Sequence, residues 1–193
     1  VPTATDNCKG TITGTTSDQL TYSAQGTYII HWIYDDGNGN TSSQDQTVIV
    51  KDVTKPVANV AVLPTVTGEC SATVTTVPTA TDNCSGILNG MTSDQLTYNT
   101  QGVHTIHWTF DDGNGNTSSQ DQTVIVKDVT QPVANAAVLP TVTGECSATV
   151  TTVPTATDNC SGVLNGITND QLTYNTKGVH TSNVTFDAVI VNT

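Results

Sequence analysis

The chain has 193 residues, of which 17 are acidic and five are basic, and its formal net charge is −12. This charge argues against the basic surfaces with which proteins bind nucleic acid, and against electrostatic binding to anionic lipid. The sequence has no run of about 18 apolar residues, so we expect no membrane insertion.

The sequence repeats itself at a spacing of 76 residues. The phrase VPTATDNC stands at residues 1–8, 77–84 and 153–160, and residues 55–76 differ from residues 131–152 at two of 22 positions. A unit of this length can hold a small core of its own. The pattern therefore predicts tandem domains, like beads on a string, at 1–54, 55–130 and 131–193. These are called the first, second and third repeats below.

The two outer repeats differ from the second. The first is predicted to be truncated at its N-terminal side, because its residue 1 corresponds to residue 77 of the second repeat. The third has DAV at residues 187–189 where the second has DDGNGNTSSQDQTV at residues 111–124. We therefore expect the third repeat to have a shortened C-terminal hairpin.

Within the second repeat, threonine and valine are abundant, helix formers are scarce, and turn dipeptides separate short runs. This composition indicates β-strands. In chain order, strands are predicted at 57–66 and 72–77, around a turn at 67–69. Shorter strands are predicted near Leu88 and at 95–98.

The clearest predicted strand is VHTIHWTF at residues 103–110. Its alternate residues are His104, Ile106, Trp108 and Phe110, and a period of two with aromatic side chains on one face is typical of a half-buried strand. DDGNGN at residues 111–116 then predicts a tight turn, and residues 119–127 the returning strand. About seven short strands per repeat predict an all-β fold of immunoglobulin-like sandwiches.

The five cysteines predict disulfide bonds, because small repeats benefit from cross-links. The expected pairs are Cys70 with Cys84 and Cys146 with Cys160, so Cys8 would have its partner outside this sequence. These pairings require residues 78–82 to fold back, because a straight strand would hold the two cysteines too far apart. The alternative pairs Cys70 with Cys160 across a repeat boundary. It leaves three cysteines unpaired instead of one.

The combination of GECSATV, VPTATDNCSG, GVHTIHWTFDDGNGNT and TVIVKDVTKPVA resembles the hyalin repeat, or HYR, domain. The resemblance covers nearly the whole chain and is greatest to tandem copies in large surface adhesins of Bacteroidota. It implies an immunoglobulin-like or cadherin-like sandwich, an extracellular location, and a role in adhesion or as a stalk. It implies no catalysis.

Acidic and amide side chains are expected to meet between repeats, because the topology of such a sandwich places their loops at one end. Calcium takes six to eight oxygen ligands of this kind, so a calcium site there is one of two hypotheses. The candidate ligands are Asp52, Asp82, Asn83, Asp111, Asp112, Asn114 and Asn116, with Asp6, Asp35 and Asp36 in the first repeat and Asp128 and Asp158 at the boundary between the second and third repeats. The alternative is that these side chains only cap turns.

Taken together, these features predict a non-enzymatic structural protein of the cell surface or extracellular space, a segment of a fibre or adhesin stalk. Its expected partners are neighbouring repeats and identical chains in a fibre. Two alternatives stay open. One is a module that binds a glycan or protein receptor, and the other is a subunit that assembles into filaments by strand exchange. No serine, histidine and acid arrangement with a motif around it points to an enzyme.

Overall fold

The computed structural model describes residues 1–188, and its fold is all-β, as predicted. The strands are β1 (Thr3–Asp6), β2 (Gly10–Thr13), β3 (Gly26–Asp35), β4 (Thr41–Val50), β5 (Val57–Ala58), β6 (Val66–Gly68), β7 (Ala72–Thr73), β8 (Thr79–Asp82), β9 (Gly86–Asn89), β10 (Thr97–Tyr98), β11 (Gly102–Asp111), β12 (Thr117–Val126), β13 (Val133–Ala134), β14 (Ala148–Thr149), β15 (Thr155–Asp158), β16 (Gly162–Asn165) and β17 (Thr173–Tyr174). None of the described residues belongs to a helix that could cross a membrane.

The strands form small sheets of two or three members. Their orders are β1-β2, β3-β4, β5-β8-β9, β10-β7, β11-β12-β6, β13-β15-β16 and β14-β17. The elements of the second repeat thus recur in part in its two neighbours. The predicted domain boundaries themselves remain a prediction, and residues 189–193 of the third repeat lie outside the described part of the chain.

The predicted hairpin of the second repeat is confirmed. Strands β11 and β12 pair in an antiparallel register that runs from Gly102 opposite Val126 to Asp111 opposite Thr117. Along β11, Ile106, Trp108 and Phe110 are buried and the intervening residues are exposed, as the alternation of a pleated strand requires. The first repeat contains the same hairpin, made of β3 and β4.

The core of the second repeat lies between two sheets. Strand β6 pairs in parallel with the end of β12, where Val66 stands opposite Val124 and Gly68 opposite Val126. Side chains of β6, β11 and β12 pack there against β7 and β10. The core consists of Leu63, Ala72, Val74, Ile106, Trp108, Val124 and Val126, with Val66 and Tyr98 packed against it.

Residues 57–66 do not form the single predicted strand. The structure has β5 at its start and β6 at its end, because β5 pairs with β8 while β6 pairs with β12 in a different sheet. One straight strand could not serve both sheets. Pro64, which lacks a backbone N–H, lies in the segment between them. The predicted turn at residues 67–69 is also wrong, because β6 extends to Gly68.

Two further predictions about the second repeat need correction. The strand predicted at 72–77 is confined to Ala72–Thr73. Residues 78–82 do not fold back, since Thr79–Asp82 is strand β8 and forms a hairpin with β9. Gly86, with φ of 76°, closes that hairpin in the left-handed region that favours glycine.

The third repeat is less complete than the second. It retains β13 to β17, but residues 142–144, whose counterparts form β6, are not in a strand. Residues 179–186 correspond to much of β11, and the described contacts include one isolated bridge there, between Thr185 and Ile167. Among residues 1–188, the third repeat therefore has no long strand pair like β11–β12, to which β6 is joined in the second repeat.

Candidate functional site

Asp52 follows strand β4, where the first repeat meets the second. The residue is 3% exposed. Its backbone N–H donates to Gln25 Oε1 at 3.0 Å, and its Oδ1 accepts from the backbone N–H of Thr54 at 3.0 Å. Its Oδ2 is buried and has no hydrogen-bond partner.

Asp82 ends strand β8 and is 4% exposed. Its Oδ1 accepts hydrogen bonds from the backbone N–H groups of Cys84 at 2.9 Å and Ser85 at 2.8 Å. These bonds shape the β8–β9 turn. Its Oδ2, like that of Asp52, is buried without a partner.

Asp52 and Asp82 face each other. One carboxylate oxygen from each and the Sγ of Cys84 all lie within 4.8 Å of one another. Two buried carboxylates at this distance repel each other, and a buried polar oxygen without a partner is unfavourable. A cation bound between them would remove both penalties, because hard cations such as calcium take carboxylate oxygens as ligands.

The DDGNGN turn contributes Asp112 and Asn116 to the same place. Asp112 Oδ1 accepts from the backbone N–H groups of Asn114 and Asn116, at 2.7 and 3.0 Å. Asn116 Nδ2 donates to Asp112 Oδ2 and also to the backbone oxygen of Asp52, at 3.3 Å. Burial raises the pKa of Asp112, but these hydrogen bonds outweigh it and hold the pKa below its ordinary value. Asp112 is therefore ionised beside the Asp52–Asp82 pair.

The remaining predicted ligands of the second repeat do not converge on this pair. Asp111, Asn83 and Asn114 are exposed. Asp111 Oδ1 accepts from the backbone N–H of Gly113 at 2.9 Å, and Asn83 Nδ2 donates to Cys84 Sγ at 3.3 Å. The turn-capping alternative therefore describes these three side chains better than metal ligation does.

Cys84 belongs to the cluster, which the sequence alone did not indicate. Burial, and then the negative charges of Asp52, Asp82 and Asp112, raise the pKa of its thiol. A thiol held in its protonated form is a poor metal ligand, because the thiolate is the species that binds. The cluster is therefore an oxygen site with a thiol at its edge.

In the first repeat, a lysine replaces the serine of this turn. Lys9 stands where the second repeat has Ser85, and its Nζ donates to the backbone oxygen of Asp36 at 2.7 Å. Asp36 caps its own turn through Asn38 and Asn40, as Asp112 does. Asp6 and Asp35 accept backbone N–H groups of their turns. A protein cation thus already lies next to the predicted ligands of this repeat.

The acidic pair recurs at the boundary between the second and third repeats, with Asp128 from the second and Asp158 from the third. Asp158 is 3% exposed, and its Oδ2 is buried without a partner. The backbone N–H of Ser161 lowers the pKa of Asp158, against the opposing effect of burial. The DDGNGN oxygens are missing from this repeat, and the nearby Cys160 is oxidised, so its sulfur is not a free ligand.

The predicted disulfide pairing is wrong, and the alternative is found. Cys70 is bonded to Cys160, with Cα atoms 5.0 Å apart and a sequence separation of 90 residues, whereas Cys8, Cys84 and Cys146 are free thiols. Strands β7 and β8 lie between Cys70 and Cys84. Extended chain advances about 3.3 Å per residue, which carries these two cysteines apart. The bond instead joins the second repeat to the third.

A polar network surrounds the disulfide. Glu69 Oε2 accepts from Asn159 Nδ2 at 2.6 Å and from Thr130 Oγ1 at 2.9 Å. Gln101 Nε2 donates to the backbone oxygen of Glu69 at 2.8 Å, and its Oε1 accepts from the backbone N–H of Asp128. The segment that carries Cys70 is thus held by hydrogen bonds on both sides of the repeat boundary.

No protein-family model matches this chain, and no curated protein matches it. The resemblance to the hyalin repeat therefore stays a prediction.

Proposed function

We propose that this chain is a non-enzymatic, extracellular structural protein whose immunoglobulin-like repeats transmit tension along a surface fibre or adhesin stalk. The observation that carries the proposal is the Cys70–Cys160 bond, which joins consecutive repeats at a separation of 90 residues. Disulfides persist in oxidising compartments such as the extracellular space. A bond between repeats, unlike one inside a repeat, makes the connection between them covalent at a second point.

Calcium is the cation proposed for the cluster of Asp52, Asp82, Asp112 and Asn116. The unpartnered oxygens of Asp52 and Asp82 support this proposal, because each is buried and the two side chains face each other. Asp52 belongs to the first repeat and Asp82 to the second. A cation held by both carboxylates would link these two repeats and would resist their separation.

The proposal is tested by pulling single 193-residue chains from their two ends. The disulfide prevents extension of the chain between Cys70 and Cys160, a sequence separation of 90, which at about 3.5 Å per residue amounts to roughly 310 Å of contour length. We expect a strong reductant or the C70S variant to add this length to the fully extended chain. The C8S variant is the matched control and should extend like the unmodified chain.

The same experiment tests the cation. Calcium is expected to raise the force at which the first and second repeats separate, and chelator or the D52N variant is expected to abolish that rise. If the fully extended length of the chain does not change with reductant, the tension-bearing role is overturned. If the force that separates the first and second repeats does not change with calcium, the metal site is overturned and the tension-bearing role stays intact.

A further inference from the structure

The sequence contains four asparagines that are each followed directly by glycine. These pairs lie at residues 38–39, 89–90, 114–115 and 165–166. An asparagine–glycine pair is chemically labile, because glycine has no Cβ and its backbone nitrogen can therefore approach the side-chain carbonyl of the asparagine. All four asparagines are exposed, so their own exposure does not distinguish the four pairs.

The glycine nitrogens are protected in two of the pairs. The backbone N–H of Gly90 donates to the backbone oxygen of Pro78 at 2.8 Å. In the third repeat, Gly166 N–H donates to the backbone oxygen of Pro154 at 2.7 Å. The asparagines of these pairs end strands β9 and β16, so strand pairing fixes their backbone. A hydrogen-bonded amide in such a place must open locally before it reacts.

The other two glycines lie in the DDGNGN turns of the first and second repeats. Gly39 and Gly115 are exposed, and among the contacts within residues 1–188 neither backbone N–H donates a hydrogen bond. Both have φ of 93°, so the two turns hold them in the same conformation. The structure therefore leaves the reactive nitrogen accessible in these two pairs.

The same turns protect their aspartate–glycine pairs. Asp112 precedes Gly113 and could cyclise in the same way, but Gly113 N–H donates to Asp111 Oδ1 at 2.9 Å. The N–H of Gly37 is held likewise by Asp35 Oδ1 at 2.7 Å. In each turn, the first aspartate thus binds the N–H of the first glycine and leaves that of the second glycine accessible.

We propose that Asn38 and Asn114 are sites of spontaneous deamidation, and that conversion of Asn114 to isoaspartate loosens the contact between the first and second repeats. The Gly115 nitrogen gives its proton to water or hydroxide and bonds to Cγ of Asn114, and Nδ2 leaves as ammonia. Water then opens the cyclic succinimide at either carbonyl and yields aspartate or isoaspartate. One water is consumed, one ammonia is released, and nothing is oxidised or reduced.

Isoaspartate changes the turn because the main chain then runs through Cβ and gains a methylene group before residue 115. The hydrogen bonds that close the turn span this point. Asp112 N–H donates to the backbone oxygen of Asn116 at 3.2 Å. In return, Asn116 donates to Asp112 Oδ1 at 3.0 Å through its N–H and to Oδ2 at 2.6 Å through Nδ2. The inserted methylene displaces the two ends of the turn, so these bonds weaken.

Asn116 also carries a contact to the first repeat. Its Nδ2 donates to the backbone oxygen of Asp52 at 3.3 Å, and Asp52 is 3% exposed. Displacement of Asn116 therefore weakens a hydrogen bond across the repeat boundary. Deamidation also adds a negative charge beside Asp112, whether the product is aspartate or isoaspartate. The inference depends neither on a bound cation nor on the disulfide.

The first test compares deamidation of the four pairs in the folded and the unfolded chain. The 193-residue chain is incubated with chelator at slightly alkaline pH, in water enriched in heavy oxygen, which labels each new carboxylate for mass spectrometry. In the folded chain, we expect the two pairs in the DDGNGN turns to react at least about tenfold faster than the two that follow β9 and β16, which must first open. In guanidinium chloride, the four rates should agree within about threefold.

The second test measures what the product does to the turn. In the N38Q chain, the reacted fraction has its added charge at residue 114, and isoaspartyl methyltransferase identifies the isoaspartate form. Hydrogen exchange of the Asn116 backbone N–H should be at least about tenfold faster in this form than in the unreacted chain. N114D is the matched control, because it has the added charge without the methylene, and its exchange should change less than about threefold.

Two outcomes would overturn the proposal. One is a folded chain in which the pairs of the DDGNGN turns react no faster than the other two, or do not react at all. The other is an isoaspartate form whose exchange at Asn116 matches that of N114D. Neither measurement uses the response to reductant or to calcium, so failure here is distinguishable from failure of the tension-bearing role or of the metal site.

Discussion

The second and third repeats show one sequence in two structural states. Both contain VTGEC, yet it forms a strand at Val66–Gly68 and not at residues 142–144. The local turn is the same in both, since a Cβ on Gly68 or Gly144 would clash with the backbone oxygen of Ser71 or Ser147. The difference is the partner strand, because the third repeat has no counterpart of β12 among the described residues. Strand formation here is decided by tertiary pairing and not by intrinsic propensity.

The largest expected effect comes from replacing the buried tryptophan in the core of the second repeat. The matched comparison replaces the corresponding tryptophan in the first repeat. Trp108 is 2% exposed, and its Nε1 donates to Gln122 Oε1 at 3.1 Å. W108A should lower the free energy of unfolding of the second repeat by about 3–5 kcal/mol. Trp32 packs in a smaller cluster, and among residues 1–188 no third strand joins its β3–β4 sheet. W32A should therefore cost about 1–2 kcal/mol less, as measured by urea denaturation. Equal losses would contradict the view that β6 completes the core.

A smaller effect is expected from replacing Gln101, which donates a hydrogen bond to the backbone oxygen of Glu69, the residue that follows β6. Q101A removes the bonds to the Glu69 backbone oxygen and to Asp128 N–H, and should cost about 1–3 kcal/mol. Q25A removes the single corresponding bond to Asp52 N–H and should cost about half as much. Denaturation of the two variants under identical conditions makes the comparison. A larger loss for Q25A would show that Gln25 has partners other than the one described.

The smallest effect concerns the thiol of Cys84. Burial and the neighbouring carboxylates raise its pKa, so removing a negative charge should lower it and increase the thiolate fraction at a given pH. D52N should therefore speed alkylation of Cys84 by iodoacetamide over the neutral to alkaline range. Calcium should do the same in the unmodified chain and should have no effect in D52N. Cys146, which is exposed and outside the acidic cluster, is the internal control.

These comparisons also show which features were predictable from the sequence. The β11–β12 hairpin was, because Ile106, Trp108 and Phe110 alternate strictly and DDGNGN follows them. The approach of Asp82 and Asp52 was also expected. Asp111 and Asn114 do not join them because Asp111 caps its own turn, and Asn114 donates to neighbouring side-chain and backbone oxygens.

The Cys70–Cys160 disulfide was predicted only as the alternative pairing, since sequence separation carries no information on which strands lie between two cysteines. Cys70 and Cys84 are 14 positions apart, yet β7 and β8 separate them. Cys160 is 90 positions away and close in space. The break between β5 and β6 was missed for a related reason, because the change of sheet at residues 59–65 is a property of the packed repeat.

The Cys70–Cys160 bond has a consequence for durability. A protease that cuts the backbone once anywhere between these residues leaves both fragments covalently attached, because the disulfide bypasses the break. The chain between the two bonded cysteines has a sequence separation of 90 in a chain of 193 residues. It includes the exposed residues 141–147, which a protease would reach first. A chain exposed to extracellular proteases could therefore be nicked in its most accessible segment without being severed.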